Sequence, residues 1–165
     1  MKIPAWQYFL VLGIWFVFSF ILIFVNSFFK LPVFSTILSQ SIGYVVFSLG
    51  ITLFIYCTVL FLQDPISLMP LALSGDEVQK NMFSIRTKGI SAYTRNPIPL
   101  TIQVVLLGIA LVFGHLLGFI YFFLSFTGFQ YIIVCIVEPH YKEYFGDEWS
   151  RYSKHAPRWF WGIPF

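Results

Sequence analysis

Formal charge is scarce in this sequence. Asp, Glu, Lys and Arg make up 10 % of its 165 residues, where a soluble domain carries roughly 25 %. Apolar residues reach 58 %, with 21 phenylalanines and five tryptophans. So few charges cannot keep that much apolar surface in water, which excludes an ordinary soluble globule and makes lipid the solvent for most of the chain. Cysteine is scarce too. Cys57 and Cys135 both fall inside apolar runs, and neither has a metal or redox spacing such as CxxC. They read as two buried small apolar side chains. No run of Lys or Arg builds a basic patch and the net charge is only +3, so no nucleic-acid partner is implied. Internal repeats and low-complexity tracts are also lacking.

What is abundant is uninterrupted apolar sequence. No charged residue occurs from Ile3 to Phe29, from Leu31 to Gln63, or over the 42 residues from Asn96 to Val137. A bilayer core needs roughly 20 helical residues, so the last run is long enough to cross twice. Gly114-His115 and Gly118 mark its turn. The expected fold is therefore an all-α integral membrane protein of about four transmembrane helices, one membrane domain over 1–165. The spans fall near 5–28, 38–63, 98–113 and 117–137, the last two forming a C-terminal helical hairpin. The first run is too long for a signal-peptide core, and no small-x-small cleavage site follows it.

Basic residues set the orientation. Lys2, Lys80, Arg86, Lys88, Arg95, Lys142, Arg151, Lys154 and Arg158 fall on one side of a four-span chain, leaving only Lys30 on the other. The N-terminus, the 64–96 loop and the 138–165 tail are thus expected in the cytoplasm. The loop is only partly polar. Ile66, Leu68, Met69, Leu71 and Leu73 suggest a piece lying on the membrane surface.

Two segments concentrate polar chemistry. In Lys88-Gly89-Ile90-Ser91-Ala92-Tyr93-Thr94-Arg95-Asn96-Pro97, Asn96 suits the N-cap of the third span and Pro97 its first helical position. In Glu138-Pro139-His140-Tyr141-Lys142-Glu143-Tyr144-Phe145-Gly146-Asp147-Glu148-Trp149, Pro139 is expected to break or restart the fourth helix. Phe145-Gly146-Asp147 reads as a helix stop followed by a new N-cap. Tyr141, Tyr144, Phe145, Trp149 and Tyr152 share one helical face, as an amphipathic interfacial tail requires. Each segment has a sufficient structural role by itself. Together they say more, because a hairpin between them brings Arg95-Asn96 and Glu138 to one membrane surface, to which Arg158 returns from the tail. An arginine, a helix N-terminus and a carboxylate under an aromatic cover can hold a zwitterionic ligand. Polar groups so close to lipid are costly and often functional.

The order Gly-x-x-x-Tyr-x-Arg-Asn-Pro, apolar hairpin, Glu-Pro-His-x-x-x-x-Phe-Gly-x-x-x-x-x-Tyr and closing Pro-Arg, over residues 86–160, resembles the isoprenylcysteine carboxyl methyltransferase and phospholipid methyltransferase superfamily. The resemblance implies S-adenosylmethionine as cofactor and a small lipophilic acceptor entering from the bilayer. Carried over by position, it places Tyr93, Arg95, Asn96, Glu138, His140, Tyr152 and Arg158 around the cofactor, with His140 the candidate catalytic base because its ordinary pKa lies near neutral pH. No metal is implied. The chain departs from the family pattern at Pro99, Thr101, Ile133 and Val137; the last replaces the first of two successive acids. Two other readings follow from the same residues. A non-enzymatic membrane interaction or lipid-binding protein could keep the scaffold without these positions. A sterol-reductase-like enzyme has a similar tail, matched by Phe145-Gly146-Asp147-Glu148-Trp149-Ser150-Arg151-Tyr152, and would require NADPH.

Overall fold

A computed structural model describes residues 5–63 and 89–159. Lys2, the apolar piece from Ile66 to Leu73, Lys80, Arg86, Lys88 and residues 160–165 lie outside the described residues. Among those described, all regular structure is helical apart from an isolated bridge between Val33 and His115.

The helices fall on the charge-free runs. Helix α1 spans Ala5–Phe28 and α2 spans Ile37–Gln63. A 3-10 turn at Gly89–Ala92 precedes α3, Pro97–Phe113. Helix α4 covers Leu116–Ile132, then a π-turn occupies Ile133–Val137. Helices α5, Glu138–Phe145, and α6, Asp147–His155, follow. Local chemistry sets the boundaries. Thr36 and Ser39 cap α2 reciprocally: the Thr36 N–H donates to Ser39 Oγ at 2.8 Å and the Ser39 N–H to Thr36 Oγ1 at 3.1 Å, satisfying amide donors that the first turn leaves without partners. Gly114, at φ 62°, takes the left-handed backbone between α3 and α4, which a side chain would strain.

Two stretches, Ile37–Leu60 and Leu116–Phe145, are long and apolar enough to cross a membrane. Only 17 % of the apolar window in each is buried inside the protein. The core helix of a soluble protein would be mostly buried. Here Leu38, Val45, Phe123 and Leu124 point outward, which suits lipid and is costly in water. Gly13–Phe28 and Pro97–Phe113 are shorter apolar helices.

The chain divides into two compact units. One comprises Ile3–Leu53 and Thr101–Gly128. Within it α2 and α3 approach at backbone distance: a Cβ on Gly108 would lie 2.6 Å from the Phe47 Cα, and one on Gly43 2.7 Å from the Val112 nitrogen. Small residues permit such contact between apolar helices. Gln103 Nε2 donates to Ser125 Oγ at 2.7 Å in the buried interior. Asn26, fully buried, donates to the Leu31 carbonyl and accepts from the Leu117 N–H. The other unit contains Phe54–Leu100 and Phe129–Phe165, and so holds both polar segments.

At Pro139 the helical run is not broken, but the α-helix restarts as α5 after a π-turn. Pro139 stands at the second position of α5, directly after that turn, and the Glu138 N–H bonds to the Ile133 carbonyl five residues back. The wide turn absorbs the proline, which has no N–H and would press on the carbonyl four residues before it in an α-helix. At the α5–α6 junction the cap position belongs to Gly146, at φ 56°, while Asp147 is the first helical residue. Asp147 and Glu148 begin α6, and Lys154 and His155 end it, the charge order the helix dipole favours.

Candidate functional site

The second unit brings three of the expected site residues into direct contact. Glu138, at the start of α5, accepts from Arg158 Nε on Oε1 and from Arg158 Nη2 on Oε2, both at 2.8 Å. Arg95 Nη1 lies 3.1 Å from the same Oε1. The Arg158 pair is therefore a two-pronged fork, which fixes the carboxylate plane as well as its position. All three side chains are largely withdrawn from solvent, at 12 % exposure for Arg95, 17 % for Glu138 and 27 % for Arg158. Among the described residues, two guanidinium groups against one carboxylate leave one positive charge over. Burial pulls the Arg95 guanidinium below its ordinary pKa, with Glu138 opposing that trend. The hydrogen bonds to Glu138 hold the Arg158 guanidinium above its own. Arg95 Nε is buried without a hydrogen-bond partner among the described residues.

The backbone around 94–96 is sewn to the start of the tail. The Arg95 N–H donates to the Pro157 carbonyl at 2.9 Å. The Arg158 carbonyl accepts from Thr94 Oγ1 at 3.2 Å and from Asn96 Nδ2 at 3.0 Å. Thr94 Oγ1 in turn accepts the Asn96 N–H at 3.1 Å. Asn96 precedes Pro97 at the start of α3, as its position before proline suggests, but its side chain is spent on the tail.

An aromatic wall stands beside the ions. Arg95 Cζ lies 5.6 Å from the Trp149 ring centre, a cation–π distance. Trp149 meets Tyr141 at 4.9 Å and Tyr152 at 5.7 Å, and Trp149, Tyr152 and Ala156 form a small core with Tyr141 and Phe145 against it. Tyr152 donates to the Ser91 carbonyl at 2.7 Å. Burial pushes its phenol up to about 12, against the pull of Arg95. Tyr152 also forms one wall of a cavity of about 370 Å³, lined besides by Ala92, Glu148, Arg151, His155 and Ala156. That volume lies within the range of small-molecule sites.

Of the residues expected around a ligand, Arg95, Asn96, Glu138, Tyr152 and Arg158 are thus gathered. Tyr93 is not: it is 63 % exposed and takes no part in these contacts. His140 is half-buried, two residues beyond Glu138 on α5, and no hydrogen bond or ion pair ties it to another described residue. Ser91, Thr94 and Trp149 belong to the site and were not singled out as site residues from sequence. Ser91 and Pro157 contribute only carbonyls, which carry no side-chain signal. Thr94 had one weak sign, a hydroxyl two residues before an Asn-Pro cap.

Fold and site together define an all-helical chain with two helices able to cross a membrane and a half-buried Arg–Glu–Arg cluster beside an aromatic wall. No protein-family profile, curated protein or solved structure matches it.

Proposed function

We propose that this chain is a membrane-embedded methyltransferase that uses S-adenosylmethionine and acts on a small lipophilic acceptor. The observation that supports this reading best is the meeting of Arg95, Glu138 and Arg158 beside Trp149 and Tyr152. The donor set fits the cofactor's amino-acid part. Among the described residues, the surplus positive charge and the Arg95 Nε that lacks a hydrogen-bond partner favour a carboxylate, Glu138 favours an ammonium, and the faces of Trp149 and Tyr152 favour a cation. When bound, the cofactor supplies an activated methyl group on a sulfonium. The protein's own work is to orient it and exclude water. His140 is the candidate proton acceptor, being close to Glu138 in sequence, with no side-chain hydrogen bond or ion pair among the described residues.

The same reading takes four spans: α1, α2, α3 and α4 with the π-turn that follows it. The N-terminus, the 64–96 loop and the tail lie in the cytoplasm, following the bias of basic residues. The protein purified in detergent should bind S-adenosylmethionine by calorimetry, and Glu138→Ala should weaken binding at least tenfold. Labelled methyl should pass from the cofactor into total membrane extract, and His140→Gln should abolish transfer. Absence of cofactor binding by the wild-type protein would sink the proposal.

One observation favours a second reading. Both oxygens of Glu138 are already engaged by arginines of the same chain, as expected of a structural staple in a non-enzymatic membrane interaction or lipid-binding protein. Retained stability with no binding of either S-adenosylmethionine or NADPH would select it over both enzyme readings.

A further inference from the structure

We propose that Pro139 is a positioning residue: it imposes the π-turn at Ile133–Val137 and thereby aims Glu138 at Arg95 and Arg158. The turn closes with the Glu138 N–H on the Ile133 carbonyl, one residue wider than the α pattern. Pro139 follows at once. In an uninterrupted α-helix its ring would crowd the Cys135 carbonyl, and it has no N–H to offer that oxygen. Widening the turn by one residue relieves the crowding while the helical run continues into α5.

The extra residue changes which way the following side chains face. Each α-helical residue advances about 100° around the axis. A turn holding one residue more delays everything after it by about that angle. With the π-turn, Glu138 meets both guanidinium groups and Val137 packs inside at 3 % exposure. With a plain α-turn, Glu138 would rotate about 100° away. Among the described residues Glu138 is the carboxylate that both arginines meet, so its facing decides whether the cluster exists. Arg158 grips it with two parallel bonds, a geometry that does not survive such a rotation. The inference concerns the ion cluster itself and holds whether or not the cluster binds a cofactor.

The test is the Glu138–Arg158 coupling, read from Glu138→Gln, Arg158→Gln and their double variant by equilibrium unfolding in detergent. The cycle is measured in four backgrounds: wild type, Pro139→Ala, deletion of Cys135, and both changes together. In the wild type the two substitutions should be non-additive by about tenfold in the unfolding constant. Pro139→Ala should let the turn relax to α, and the coupling should vanish. Deleting Cys135 alone should also abolish it, because proline still demands a wide turn with one residue too few ahead of Glu138. The combined variant should regain it, since a plain α-turn with one residue removed faces Glu138 as the π-turn does. A residue with a merely structural role would not produce this reciprocal rescue. Coupling kept in Pro139→Ala overturns the proposal. If Pro139→Ala does not fold, coupling kept in the Cys135 deletion overturns it, and coupling lost there supports it.

Discussion

At the scale of single residues, partnership matters more than charge. Arg95, Glu138 and Arg158 have little individual exposure, and each owes its buried charge to the others. Removing one member of such a set costs more than the set contributes, because the remaining charges stay desolvated. Tyr152 follows the same logic with a neutral group. Its phenol donates to the Ser91 carbonyl, and burial lifts its pKa from 10.0 to about 12. The folded protein therefore holds this proton more tightly than the unfolded chain does. The contribution is whole below pH 10 and is lost as pH rises from there through about 12. Unfolding measured in detergent between pH 9 and pH 12 should show stability falling with pH, and Tyr152→Phe should flatten that fall.

At the scale of elements, glycine spacing controls one helix pair. Gly108 lets α3 approach the backbone of α2 at Phe47, where an added Cβ would meet the Phe47 nitrogen and Cα at 2.6 Å. Gly128 on α4 has nothing within 4 Å of its would-be Cβ. Gly108→Ala should destabilise the protein by about 1–3 kcal/mol, as overpacking does. Gly128→Ala should be neutral or slightly stabilising, because alanine is the better helix former. Reversible unfolding in mixed micelles distinguishes them, and equal effects would refute the close approach of α2 and α3. The glycines were plain in the sequence, but which of them touch a partner was not. Helical pattern does not tell a lipid-facing glycine from one facing a helix when almost every neighbour is apolar.

At the scale of the whole molecule, the consequence to test is topology. The proposed arrangement leaves Lys30 alone on the far side, while Arg151 and Lys154 share the cytoplasmic side. After Cys57 and Cys135 are replaced by alanine, a cysteine at position 30 should react with a membrane-impermeant maleimide in intact cells. A cysteine at 151 should react only after permeabilisation. The reverse pattern would invert the orientation, and labelling of both in intact cells would remove an odd number of spans from the scheme.

The sequence alone determined that the chain is helical and built of long apolar runs, and where those runs end. Scarce charge, Asn-Pro, Gly-His and Phe-Gly junctions act locally, through solvation and backbone preference, and need no partner to be read. The pairing of residues distant in the chain was legible only as a possibility. That Arg158 forks onto Glu138, that Asn96 turns to the tail, and that Tyr93 stays outside are outcomes of tertiary contact. The fate of Pro139 shows the physical reason. Proline forbids an ordinary helical hydrogen bond, but it does not say whether the chain will break or widen its turn. Here it widens to a π-turn, and the direction of Glu138, with the charge cluster that depends on it, follows from that choice.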